Sequence, residues 1–364
     1  MMKTIFFRFI VLLLLNSCSL LIAQENIKKT RESSGKMLLD HSLEDYLKIK
    51  DLRNIIAEYA NDWSCSKEIY NGEEIHKVKQ LPDGRLIYSS LSGSGFKIWD
   101  PNCGEATEFI EQQDEYCAEC DFYKDQFAFH SGPIVKTLNL KSGSVEDLPS
   151  EHNNAVKELH FLDDSKLASG SFDNTLKIWD INKKKSINTF DEHTGGVGAI
   201  QHLSKNVLIS GSADNTIKVW DLRCGTKSIK TLNSHRNSIH GVIILSDNIL
   251  ASCSQDGTIK IWDLSKGECI RTLDNKAPTV SIDKLLDSMT LVSASGDSVK
   301  LWDANSGKCI EDDLGFKKLD KKIIDERHSK DVVSVHTLKD GRVASGSWDG
   351  SIKVWLNPAK SQVI

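Results

Sequence analysis

The chain has no surplus of positive charge. Its 46 lysines and arginines face 51 acidic residues, for a net charge of -5 and a pI near 6.1. Phosphate binding wants a concentrated basic surface, so nucleic acid is not an expected partner. A second cysteine pair is also missing. Cys117 and Cys120 form one CxxC, and none of the other seven cysteines supplies a matching pair. A structural zinc needs four ligands, so these thiols read as free or locally bridged, and no metal or cofactor is expected. Cys269 in SKGECIRTL and Cys309 in NSGKCIEDD occupy the same place in two similar stretches. That recurrence suits small core residues better than half-bridges. Apolar residues (39%) and charged residues (27%) are balanced as in ordinary globular chains, and 364 residues suffice for one large all-β domain.

The first 24 residues differ from the rest. Lys3 and Arg8 flank or interrupt an apolar stretch, Ile5 to Leu15, followed by NSCSLLIAQ. A charged start, an apolar core and small residues after it make an export signal. Three outcomes compete. Leu15-Asn16-Ser17-Cys18 resembles a bacterial lipobox, which would make Cys18 a lipidated first residue and attach the protein to a membrane. Cleavage after Ala23 would instead release a secreted or periplasmic protein. An uncleaved anchor is the third, since ~20 apolar residues span a bilayer. Residues 1–23 are therefore read as signal, and 24–63 as a linker. Within the linker, Leu39, Leu43, Tyr46, Leu52, Ile55, Ile56 and Tyr59 recur at helical spacing, predicting a short amphipathic helix over 37–60.

The rest of the chain repeats itself. LASGSFDNTLKIWD at 167–180 returns as LISGSADNTIKVWD at 208–221, LASCSQDGTIKIWD at 250–263 and VASGSWDGSIKVWL at 343–356. Looser copies end at Trp99 and Trp302, and AFHSGPIVKTLNLKSG at 128–143 stands where another is due, with Leu138-Asn139 in place of Trp-Asp. A second spacing is sharper. His152, His193, His235 and His328 each precede a tryptophan by 27 residues, and an aspartate lies 21 after each histidine. The segments read as short strands joined by tight turns, because Asn and Gly accept positive φ. Periods of ~40–45 residues ending in Trp-Asp mark propeller blades.

On these motifs, residues 64–357 resemble the WD-repeat β-propeller family. The resemblance implies an all-β, seven-bladed propeller, with 358–364 left as a tail. It implies that the run at Lys67 to Tyr70 completes the last blade and that Ile75 starts the first. It also implies four hydrogen-bonded tetrads: His152, Ser169, Asp173 and Trp179; His193, Ser210, Asp214 and Trp220; His235, Ser252, Asp256 and Trp262; His328, Ser345, Asp349 and Trp355. Ser171 and its equivalents, two residues on and on the same strand face, remain alternatives for the serine. Ser, His and Asp also suggest a hydrolase, but a triad is one set beside a cavity, and here the set occurs four times. The tetrads are thus read as fastening, with no catalytic residue. Blade 1 has Gly72 and Gly93 at the His and Asp offsets, blade 2 lacks His, Asp and Trp, and no His precedes blade 6. A weak arc is expected at blades 1 and 2.

In the family, the face carrying the His–Asp turns is a frequent docking surface. The positions implied to point into it are Phe172, Ala213, Gln255 and Trp348 before the turn aspartates, and Lys157, Gly198, His240 and Val333 five after the histidines. Phe172 and Trp348 stand out, since aromatics dominate interface hot spots. The charged insertion EDDLGFKKLDKKIIDER at 311–327 is read as a solvated loop toward that face. The resulting expectation is an exported, non-enzymatic scaffold presenting Phe172, Trp348, Gln255, Lys157 and His240 to a protein or peptide. The competing classes are an exported propeller enzyme, which needs a one-off acidic or His cluster in the central channel, and an F-box-like substrate receptor. No such cluster is visible in the sequence, and the Leu-Pro start of an F-box is absent.

Overall fold

The computed structural model describes residues 65–355 apart from 71, 91–94, 102–105, 111–118, 150, 288, 312–313, 315 and 320–321. These residues belong to one compact unit, Trp63–Asn357. The signal segment, Cys18, the helix expected at 37–60 and the tail lie outside the described residues. Seven four-stranded antiparallel sheets are present among the described residues, and no helix. Each sheet is one blade, and the strands run in chain order from the channel outward. In blade 3 they are Val156–Phe161, Lys166–Ser171, Leu176–Asp180 and Lys185–Phe190. Blade 7 takes its outermost strand from the far end of the chain. Cys65–Tyr70 pairs antiparallel with Ser351–Trp355, with Cys65 opposite Trp355 and Tyr70 opposite Ser351. Ile75–Gln80 then begins blade 1. The ring therefore closes through backbone hydrogen bonds between its two ends.

The alternating strands bury both faces, because each blade packs between two neighbours. The apolar core is seven clusters, one at each blade interface. At six of them the tryptophan of one blade inserts against the preceding one. Trp220 lies among Ala168, Leu176, Ile178 and Phe190 of blade 3, its ring 5.0 Å from that of Phe190. The seventh interface, between blades 1 and 2, uses Leu138 and an aromatic trio instead, with Phe96 5.3 Å from Phe127 in an edge-to-face pair. Close approach demands glycine at some strand positions. A Cβ on Gly211 would stand 2.6 Å from Ile239 Cγ2 of the next blade.

Two sequence expectations change here. The insertion before blade 7 is not a plain loop: Phe316–Leu319 and Lys322–Asp325 form a two-stranded hairpin, with Leu319 opposite Lys322. Cys309, on the outermost strand of blade 6, is exposed rather than in the core. Cys269, at the same place in blade 5, is half-buried and packs against the interface of blades 4 and 5. Cys120 is a buried free thiol.

Candidate functional site

The repeated polar residues come together inside each complete blade. In blade 4, Trp220 Nε1–H donates to Ser210 Oγ at 2.8 Å. Ser210 Oγ lies 2.8 Å from His193 Nε2, and His193 Nδ1 lies 2.7 Å from Asp214 Oδ2. The carboxylate only accepts, so Nδ1–H donates to it, and Nε2 is left to accept from the serine hydroxyl. Blades 3 and 5 repeat this chain with every distance between 2.7 and 2.8 Å. In blade 7 the His328–Asp349 contact is longer, 3.1 Å, and Ser351 Oγ also approaches Nδ1 at 2.9 Å. The links from Ser345 to His328 and Trp355 are 2.7 and 2.8 Å. Ser169 and its equivalents are thus the bonding serines. Ser171 does other work: its hydroxyl contacts Asn154 O and Ala155 O and accepts the Asp173 N–H.

A fifth member of the set escaped the sequence reading. Thr175, Thr216, Thr258 and Ser351, each two residues after the turn aspartate, donate to its Oδ1 at 2.6–2.7 Å. The recurring D-N-T, D-G-T and D-G-S carried that signal. The middle residue of each turn has positive φ: 70° at Asn174 and Asn215, 80° at Gly257, 85° at Gly350. Each carboxylate therefore meets more than one donor. Burial alone would raise Asp173, but Thr175, the Asn153 N–H and His152 hold its carboxyl down at about 2. Burial likewise raises the Asp214 carboxyl, and bonds from His193 and Thr216 outweigh it, leaving it well below the carboxylate range. Burial lowers His152 and His235 against the pull of their aspartates, which suits neutral imidazoles. The aspartate of each Trp-Asp pair works at the opposite end of the blade. Asp180, Asp221, Asp263 and Asp303 accept backbone N–H groups in the turns that follow them.

The incomplete blades use substitutes. In blade 6, Asn275 occupies the histidine's place: its Nδ2 donates to Thr279 Oγ1 at 2.9 Å and reaches Ser293 Oγ at 3.4 Å, while Trp302 Nε1 donates to Ser293 at 2.9 Å. In blades 1 and 2, strand register puts Tyr88 and Phe129 where the bonding serine would be. Trp99 Nε1 has no hydrogen-bond partner among the described residues.

The mouth of the channel, on the face of the His–Asp turns, holds the residues expected to meet a partner. Phe172 is 49% and Trp348 38% exposed, both high for large aromatics. Lys157 Nζ sits 4.7 Å from the Phe172 ring centre, a cation–π contact. Gly196 and Gly198 make room for it, since a Cβ on either would press on Phe172 or the Lys157 stem. His240 Nε2 lies 3.0 Å from Gln255 Oε1, donating to it. Lys157, Gly198, His240, Val333 and Trp348 all line one cavity of 460 Å³.

Below the mouth the channel carries what the sequence reading did not find, a one-off cluster of charged and histidine side chains. Lys77 Nζ is 2.8 Å from Glu119 and 3.6 Å from Glu158, so one ammonium joins blades 1, 2 and 3. Lys79 Nζ is 3.0 Å from Asp121 and donates to Cys120 O at 2.7 Å. Asp121 also accepts the Phe161 N–H of blade 3 at 2.8 Å. Asp283 does the same for Thr337 of blade 7 at 2.8 Å, with His336 Nδ1 3.3 Å away. The opposite wall is plain, with Gly198, Ala199, Gly241 and Val242 facing the cavity. No group of three or more metal-ligating side chains occurs among the described residues.

Comparison with known proteins matches this geometry. The family model described as "WD domain, G-beta repeat" matches residues 144–180, 184–221, 226–263 and 321–355. Those spans end on the tryptophans, or the Trp-Asp pairs, of blades 3, 4, 5 and 7, the four with complete tetrads. Periodic tryptophan protein 2 of Arabidopsis thaliana is 40% identical over 57 residues, 15% of this chain and 6% of that protein. A guanine nucleotide-binding protein subunit beta of Schizosaccharomyces pombe is 25% identical over 123 residues, 31% of this chain. The chain spans 40% of that relative's length, so both matches concern repeats rather than whole proteins. The WD40 β-propeller domain of Doa1 superposes with a TM-score of 0.68 at 22% identity, covering 81% of this chain and 97% of that domain. The computationally designed Ika8 protein gives 0.61 at 25% identity, covering 78% and 83%.

Proposed function

Since this chain belongs to the WD-repeat β-propeller family, we propose that it is a non-enzymatic scaffold that binds a protein or peptide across the mouth of its channel. The observation that carries the reading is the pair Phe172 and Trp348. They stand on blades 3 and 7, on the same face, and remain exposed where a blade with nothing to bind would tolerate alanine, as blade 4 does at Ala213. Lys157, His240 and Gln255 add polar contacts beside them. The one-off channel cluster is the feature an enzyme reading would require, but its carboxylates Glu119, Asp121, Glu158 and Asp283 are each engaged in contacts between blades, which gives them a structural task. The double substitution Phe172→Ala/Trp348→Ala should leave the melting temperature within a few degrees of the parent. Proteins captured by the parent should bind the double variant at least ~10-fold more weakly, as loss of a hot spot implies. Equal capture by a folded double variant would defeat the proposal.

We further infer export, from the charged start and apolar stretch of residues 3–15, with membrane attachment through lipid on Cys18. Metabolic labelling with a palmitate analogue should mark the full-length protein, and Cys18→Ala should remove the label. An unlabelled parent would sink the lipid anchor.

A further inference from the structure

We propose that the arc of blades 1 to 3 is held by a proton shared within the channel triad Lys77, Glu119 and Glu158, so that this part of the ring is tightest in mild acid and loosens as pH rises to neutrality. The triad is one positive charge short. Lys77 reaches carboxylates from two successive blades, and a single ammonium neutralises one of them. All three side chains are largely buried, 24%, 10% and 15% exposed, where an uncompensated charge is costly.

The surroundings of Glu158 leave a proton as the compensating charge. Blade 1 presents Lys77 and Lys79, and Lys79 is held by Asp121 and Cys120 O. Blade 2 presents Glu119 and Asp121, both carboxylates, with His76 of blade 1 3.9 Å from Glu119. On its own strand lie His160, 3.8 Å from Asp121, and Lys157, which turns away onto Phe172. Blade 4 presents Gly198, Ala199 and Gln201, with His202 further along near His160. Burial, with Glu119 and Asp121 opposing ionisation, pushes the Glu158 carboxyl up to about 7 against the pull of Lys77. Glu119 is held below its usual range, as the partner that keeps the lysine. A carboxyl raised in the fold binds its proton more tightly than in the open chain. Its contribution is complete below the open-chain value, near 4.5, falls as pH rises from there and is gone above about 7.

The location makes this a local device. Blades 4, 5 and 7 are fastened by tetrads that involve neither Lys77 nor Glu158. Blades 1 and 2 have no tetrad, and the channel pairs are the buried ion pairs across that arc among the described residues; Lys124–Asp164 and Lys184–Glu146, which also join blades 2 and 3, are exposed. Hydrogen exchange on the full chain, corrected for intrinsic rates, reads the effect strand by strand. Protection of Ile75–Gln80 and Cys120–Tyr123 should fall by up to about tenfold per pH unit between the open-chain value, near 4.5, and about 7, the limit for release of one proton, and should level off above 7. Protection of Val197–Ser204 and Ile239–Ser246 should not fall over that range, and Glu158→Gln should abolish the loss at the first two strands. A uniform loss around the ring, or an unchanged slope in the variant, overturns the proposal. Carboxyl-carbon titration by NMR of the parent protein covers the case of a variant that does not fold. A Glu158 midpoint near 7 supports the proposal, and one below 5 overturns it.

Discussion

Trp220→Ala should lower the unfolding free energy by about 3–5 kcal/mol, the range for removing a buried tryptophan that cannot be refilled. The indole is fully buried and bridges two blades. Its ring packs on Phe190, and its N–H satisfies Ser210, which in turn orients His193. Alanine therefore opens a cavity in the blade 3–4 interface and removes a donor from a buried network. Urea unfolding followed by circular dichroism measures the change. A loss under ~1 kcal/mol would mean the interface collapses around the gap, and that the tryptophan is not a fastener.

Asp214→Ala should cost about 1–3 kcal/mol at pH 7, because several donors lose one acceptor. His193 Nδ1, the Thr194 N–H, the Thr216 N–H and the Thr216 hydroxyl all bond to this carboxylate at 2.7–3.0 Å. The cost should also depend on pH. Asp214 has a folded-state pKa below its unfolded value, as do Asp173, Asp256 and Asp349. Their contribution is complete above the ordinary carboxylate range, near pH 4. It is lost as pH falls toward the folded values. The parent and variant should therefore converge in stability between pH 4 and pH 2. An unchanged melting temperature at pH 7, or a difference that persists undiminished at pH 2, would count against the network. This acid dependence runs opposite to that of Glu158.

The tetrads were legible because each fits inside one period of the chain. Histidine, serine, aspartate and tryptophan keep fixed offsets of 21 and 27 residues, and a fixed offset within one hairpin sheet becomes a fixed geometry. Which serine bonds was not decided by the offset, since Ser169 and Ser171 share a strand face. The strand register, with Ser169 opposite Leu159 and its hydroxyl between His152 and Trp179, decided it. Asn275 was missed because it is a different residue type in a blade whose turn is one residue shorter. The family resemblance implies ring closure by the run at Lys67 to Tyr70, and pairing of Cys65–Tyr70 with Ser351–Trp355 gives it its geometry.

The sequence by itself determined the number of repeats and their period, because a repeat that cannot bury its faces alone must stack on its copies, while the tetrads and the positions singled out at the mouth came with the family resemblance. Only the tertiary structure decided the chemistry of the channel. Lys77, Glu119 and Glu158 lie some forty residues apart, and their counterparts on blades 4 and 5 are Ala199 and Gly241. No periodic signal marks them. They meet because a closed ring brings one inner strand from every blade to a common axis, where charges from neighbouring blades must find each other or remain costly.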